Sequence, residues 1–103
     1  MTRVVVTGLG VVSPYGVGVQ PFWGGLSSGR CAIRPITLFE TAGFRSRIAG
    51  EVPADAVAAL PASRRRSRAD RFGLTAAREA VADAGLSRAE QAMAGVIVGG
   101  VGG

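Results

Sequence analysis

The chain has 103 residues, 48% hydrophobic and 18% charged, with 12 basic side chains against 7 acidic ones. That length holds one domain at most, burying roughly 60 to 70% of its extended surface, and the composition excludes a disordered chain. No apolar run approaches the roughly 20 residues of a membrane span, one cysteine excludes an intrachain disulfide, and no metal-ligand cluster is expected from the sequence.

Residues 4–6 are three consecutive valines. A β-branched run without polar alternation predicts an interior strand of a parallel sheet, buried on both faces. Gly8 and Gly10 then let the backbone turn, and Ser13, Pro14, Gly16 and Gly18 close the segment as a loop. Met1-Thr2-Arg3 leads straight into this strand rather than into a signal-peptide core, which points to a cytoplasmic protein.

Pro21 suits the first turn of a helix, and Phe22, Trp23 and Leu26 share one side of it. The spacing predicts a short helix over 20–27, stopped by Gly29. Residues 31–43 follow neither period, and Pro35 breaks any helix there. An irregular loop with Ile33, Ile36, Leu38 and Phe39 turned inward is expected. Residues 46–52 predict a weak strand and 54–60 a short helical turn ended by Pro61.

The strongest helical pattern covers 67–84. Phe72, Ala76, Ala80 and Ala84 form an i, i+4 stripe, with Arg71, Arg78 and Glu79 off it. Small residues on that stripe predict close approach to a sheet, and Gly85 suits the left-handed position after the helix. Ser87 caps a further turn ending near Ala92. Residues 95–98 then read as a second fully buried strand running into glycines. Strand, helix and strand in this order argue for α/β layering with a right-handed crossover. Two doubly buried strands and two substantial helices cannot cover one another, so the structural unit is expected to continue beyond Gly103 or to be completed by another chain.

Several stretches invite a chemical reading. Gly8-Leu9-Gly10 after a strand invites comparison with a dinucleotide fingerprint, but the third glycine is Ser13, Pro14 interrupts the helix, and no acid follows about twenty residues on. Structural glycines are the simpler reading. Cys31 lacks any histidine to activate it, and a lone cysteine is more often a small buried apolar residue than a nucleophile.

All twelve cations are arginine, which favours a planar, bidentate grip on phosphate or carboxylate. The densest run is Ser63-Arg64-Arg65-Arg66-Ser67-Arg68-Ala69-Asp70-Arg71. It is either a solvated helix start or a docking surface for an anionic partner. Cations at a helix amino terminus are misplaced by a few tenths of a kcal/mol each, which favours docking. Nucleic acid is the competing partner, but the run has no interleaved aromatic platform beyond Phe72, so neither nucleic acid nor membrane is expected.

Val4-Val5-Val6-Thr7-Gly8-Leu9-Gly10-Val11-Val12-Ser13-Pro14-Tyr15-Gly16 resembles the amino-terminal signature of the β-ketoacyl-acyl-carrier-protein synthases, condensing enzymes of the thiolase-like fold. Phe22-Trp23, Leu26, Gly29-Arg30, Ile33, Phe39, Ile48-Ala49-Gly50, Arg68-Ala69-Asp70-Arg71, the helix from Ala76 to Gly85 and the glycine-rich end follow in family order. The resemblance spans the whole chain but only the first quarter of such an enzyme. It implies an α/β fold, the amino-terminal part of a thiolase-like layered αβαβα architecture that is incomplete in this chain, with residues 1–103 a fragment of one domain.

The activity implied is decarboxylative condensation of acyl and malonyl thioesters in fatty-acid or polyketide biosynthesis. The cysteine and two histidines that perform it are not in this chain, so the chain alone is expected to be inactive. A non-catalytic subunit resembling a chain-length factor is the alternative. The partners implied are acyl carrier protein, which itself carries the phosphopantetheine, so that no cofactor of the synthase's own is expected, and the remainder of the synthase or a homologous subunit in a dimer. Arg64 and Arg68 match basic carrier-docking positions, Ser67 replaces a third, and Arg65 and Arg66 compensate by proximity. Gly100 and Val101 match a pair lining the acyl pocket. Val98-Gly99 stands where the family usually has Gly-Ser or Gly-Thr.

Overall fold

The structure is a computed structural model that describes residues 2–101. The elements in order are β1 (Val12–Ser13), β2 (Gly16–Val17), α1 (Val19–Ser27), β3 (Arg34–Pro35), β4 (Ile48–Ala49), α2 (Ala54–Ala58), α3 (Arg68–Ala84) and α4 (Arg88–Ala92). The mixed α/β character expected from the sequence is present, and the helices fall within a residue or two of their expected bounds.

The predicted buried strands are the main difference. Residues 4–6 and 95–98 adopt no strand, and their side chains lie in solvent, Val4 at 92% and Val98 at 85% exposure. A strand is stabilised by its ladder partner and by cover on its faces; neither run has a paired neighbour among the described residues. The ladders that do form are two short antiparallel ones, so the right-handed parallel crossover is likewise not formed here. Val12 pairs with Val17 and Ser13 with Gly16 across a two-residue turn, converting the predicted loop into a small hairpin. Arg34 pairs with Ala49 and Pro35 with Ile48. This second ladder joins the expected weak strand to the expected irregular loop. Pro35 is tolerated because such a ladder is all edge, and Ile36 N–H donates to the Arg47 carbonyl at 2.9 Å just beyond it.

Local chemistry explains the helix ends. Ser67 and Asp70 form a reciprocal capping box at α3, and Ser87 and Glu90 another at α4. Gly85, at φ 67°, ends α3 in a Schellman motif: its N–H donates to the Ala82 carbonyl, and Leu86 N–H donates to Val81. Gly29 ends α1 the same way, with Arg30 N–H donating to Gly25.

The centre of the chain is the seam between the opening segment and α3. A Cβ on Gly8 would overlap the Ala80 carbonyl oxygen, and one on Gly10 the Ala76 carbonyl oxygen. The alanine stripe therefore does permit close approach, but to this glycine backbone rather than to a sheet. A second small packing unit sets Tyr15 against Gly25 of α1 and edge-on to Phe22, ring centroids 6.3 Å apart. Apolar burial is sparse: among the described residues Leu60, at 8% exposure, is the one buried hydrophobic side chain. The radius of gyration is 16.4 Å, against about 13 Å for a compact domain of 100 residues.

Candidate functional site

The basic run lies between α2 and the first turn of α3, and its arginines divide into two groups. Arg64, Arg65 and Arg66 occupy a bend and are exposed. The Ser63 hydroxyl shapes that bend by accepting from Arg65 N–H at 3.2 Å. Arg68 is the first residue of α3, also exposed, with its guanidinium carbon 5.1 Å from the Phe72 ring centroid. That stacking restricts the side chain without consuming its N–H donors. The four arginines expected to dock a partner thus face solvent together, in the bend and at the adjoining helix start.

Arg71 belongs to the second group. Its Nε donates to the Pro61 carbonyl at 3.3 Å, and its Nη2 donates to Val57 at 3.2 Å and Leu60 at 3.4 Å. These are carbonyls at and just past the end of α2, where a cation complements the helix dipole. Arg71 is thereby a clasp that fixes α2 against α3 and sets the ends of the basic bend. Asp70 is equally engaged: its Oδ2 accepts from Ser67 N–H at 3.2 Å, while its own N–H donates to Ser67 Oγ at 3.1 Å.

Two acids not singled out as functional from the sequence hold the opening segment. Glu79 Oε1 accepts from Val11 N–H at 2.9 Å, and Oε2 accepts from Val19 N–H at 3.0 Å. Asp83 Oδ2 accepts from Leu9 N–H at 3.1 Å. Gly18 offers α1 no side-chain cap, so a carboxylate from α3 takes that place at Val19. Glu79, expected off the packed stripe, therefore faces the opening loop. The signal was in the pattern: Glu79 and Asp83 are an i, i+4 acid pair beside the alanines, opposite a glycine loop whose N–H groups need acceptors. The same bonds turn the Leu9 and Val11 N–H groups toward α3, which accords with structural rather than phosphate-binding glycines.

Gly100 and Val101 are exposed at the carboxyl end, and a Cβ on Gly100 would meet nothing within 4 Å. Gly102 and Gly103 of the same run lie outside the described residues. Cys31, expected to be buried, is exposed. It follows α1 in an exposed loop, lining a shallow cavity with Tyr15, Arg30 and Arg34.

The chain matches the family model for the β-ketoacyl synthase N-terminal domain over residues 1–103. It is 49% identical over 87 residues to the granaticin polyketide putative beta-ketoacyl synthase 1 of Streptomyces violaceoruber, covering 82% of this chain and 21% of that protein. It is 40% identical over 108 residues to the 3-oxoacyl-[acyl-carrier-protein] synthase 2 of Coxiella burnetii, covering 98% of this chain and 26% of that one. Among solved structures, the ishigamide ketosynthase/chain length factor superposes with a TM-score of 0.68 at 40% identity, over 84% of this chain and 22% of that one. The chain thus spans about a fifth to a quarter of the length of these relatives, and its α/β elements are part of the thiolase-like layered fold. The signature around Gly8 and Gly10, the alanine-faced helix and the matched residues together place this chain in the β-ketoacyl synthase family, as a segment of the N-terminal domain.

Proposed function

We propose that this chain is the amino-terminal segment of a ketosynthase that performs decarboxylative condensation in polyketide assembly. The family match across all of residues 1–103 carries the condensing role, and the polyketide synthase among the relatives favours that pathway over fatty-acid synthesis. In this reading, an acyl group moves from its carrier thioester to a cysteine supplied outside this segment. A malonyl thioester then loses carbon dioxide, and its freed carbon displaces that cysteine to form the new carbon–carbon bond. Two histidines, also outside the segment, assist the decarboxylation.

The segment's own share is structural and recognitional. Arg64, Arg65, Arg66 and Arg68 receive acyl carrier protein through their exposed surface, and carrier recognition by name in the Coxiella relative supports that role. Gly100 and Val101 line the acyl pocket once the rest of the fold closes on them. The partners are acyl carrier protein, which brings the phosphopantetheine, and a homologous subunit.

The second reading is a non-catalytic chain-length-factor-like subunit, favoured by the ketosynthase/chain length factor that this chain superposes on. The two separate by incubating the full-length gene product carrying this segment with radiolabelled acyl carrier protein. Transfer of label to a cysteine, with carbon dioxide released from malonyl carrier protein, is expected. A protein that takes no label, and lacks a cysteine at the nucleophile position, is the chain-length-factor-like subunit.

A further inference from the structure

Several hydroxyl groups in this chain are spent on carbonyls. Ser27, Ser28 and Ser46 donate to Trp23, Gly25 and Ile48, and Thr75 donates to Arg71 at 2.8 Å. Ser63, Ser67 and Ser87 instead accept, from the backbone N–H groups of Arg65, Asp70 and Glu90. Each such bond uses one lone pair of the hydroxyl oxygen and no proton.

The neighbours in sequence set Ser67 apart from the other two. Arg64, Arg65 and Arg66 stand at the third, second and first positions before it, all exposed in the bend, whereas Ser63 precedes the run and Ser87 follows Gly85-Leu86. Ser67 is itself exposed and extended, at φ −66° and ψ 166°, just before α3 begins. A protein kinase binds its substrate extended and chooses it by charge pattern. Guanidinium groups just ahead of an accessible hydroxyl are what acidic pockets of an arginine-directed kinase grip.

We infer that Ser67 is a phosphorylation site, modified from ATP by an arginine-directed serine/threonine kinase, and that its phosphate discharges the basic bend. Ser67 Oγ attacks the γ-phosphorus of ATP and gives its proton to a kinase carboxylate; the bond to the bridging oxygen breaks and ADP leaves. The product suits its place. A phosphate brings about 1.5 to 2 negative charges at pH 7, set between Arg66 and Arg68 at a helix start that favours anions. It cancels about half the charge of Arg64, Arg65, Arg66 and Arg68. The cost falls on Asp70, whose carboxylate accepts from Ser67 N–H at 3.2 Å and meets the new dianion. The effect on carrier association rests on the docking reading; the modification itself does not.

The folded full-length gene product is incubated with ATP and the catalytic subunit of cyclic-AMP-dependent protein kinase, an arginine-directed enzyme, and phosphate is mapped by tandem mass spectrometry. Phosphate on Ser67 is expected, with about ten-fold less on Ser63 and Ser87. Arg64→Gln/Arg65→Gln, which keeps the acceptor, should slow the reaction about ten-fold. Ser67→Asn, which keeps a helix cap without a hydroxyl, should abolish it at an unchanged melting temperature. Protein recovered from its native cells at successive growth stages should carry the same phosphate. Ser67 left unmodified at every stage, phosphate entering only after unfolding, or a rate indifferent to the arginine pair overturns the site. Carrier affinity at low salt is then compared before and after modification, with Arg64→Glu/Arg68→Glu in parallel. Phosphorylation should weaken binding about three- to ten-fold, as for a pair of surface ion contacts. If charge reversal weakens binding and phosphate does not, the discharging role falls while the docking reading stands. If neither does, the docking reading falls and that role with it, while mapped phosphate on Ser67 upholds the modification site.

Discussion

The two ends of the chain are written alike, as a valine-rich run followed by glycines, yet they behave differently. At the opening, Gly8 and Gly10 press on α3 while Asp83 and Glu79 take the N–H groups of Leu9 and Val11. At the close, a Cβ on Gly99 or Gly100 would meet nothing within 4 Å, and Val96, Ile97 and Val98 stand in solvent. An apolar run with glycines specifies a surface to be covered. Whether it becomes ordered depends on whether the complementary surface lies within reach, and α3 supplies one for the opening glycines alone.

The broadest test takes away everything but this segment. With one buried hydrophobic side chain among the described residues and both valine runs exposed, the isolated 103-residue chain should show no cooperative thermal transition, against the 5 to 15 kcal/mol typical of a folded domain. A monodisperse monomer that melts cooperatively would break the comparison, because the closing run would then need no cover.

Next in size is the seam itself. Gly10→Val in the full-length gene product places a side chain inside the Ala76 carbonyl, and a loss of about 3 kcal/mol or more in denaturant stability is expected, since backbone must move.

The glycines and the alanine stripe were legible from sequence because close approach leaves a compositional trace. α3 was legible for the same reason, and its ends more so: Ser67 with Asp70, and Gly85, are local signals that need no partner. The valine runs misled because periodicity reports a preference for burial and says nothing of where the neighbour lies. Arg71 is the instructive case in the basic run. Its type matches Arg64 and Arg68, and only the meeting of α2 with α3 turns it inward.

Docking comes third. Arg64→Glu with Arg68→Glu should weaken carrier association by about 2 kcal/mol at low salt, because repulsion replaces attraction, and the effect should shrink as salt screens exposed charges. A carrier Michaelis constant that stays put leaves the run a solvated helix start. Glu79→Gln keeps one acceptor oxygen for two N–H groups, so it should cost about 1 to 3 kcal/mol, with exchange protection lost at Val11 or Val19 first. Unchanged protection at both would mean that the hairpin, not α3, holds the opening.

The smallest effect is at α4. Hydrogen bonds from the Ser87 backbone, then from its side chain, hold the Glu90 carboxyl below its ordinary 4.5. A depressed folded value means that the cap is fully present above 4.5 and fades as pH falls through the folded value. Amide exchange in residues 88–92 should therefore quicken on acidification from pH 5 toward pH 3, relative to α3. Equal change in both helices would remove the assignment.

The bonds from Leu9 to Asp83 and from Val11 to Glu79 link residues 74 and 68 positions apart. On a ribosome adding roughly 5 to 20 residues per second, Leu9 and Val11 are therefore added some 4 to 15 seconds before their anchoring acids. The opening of this protein is therefore a late-committing segment during synthesis, apolar and unpaired while the nascent chain lengthens, and a natural place for a chaperone to hold it.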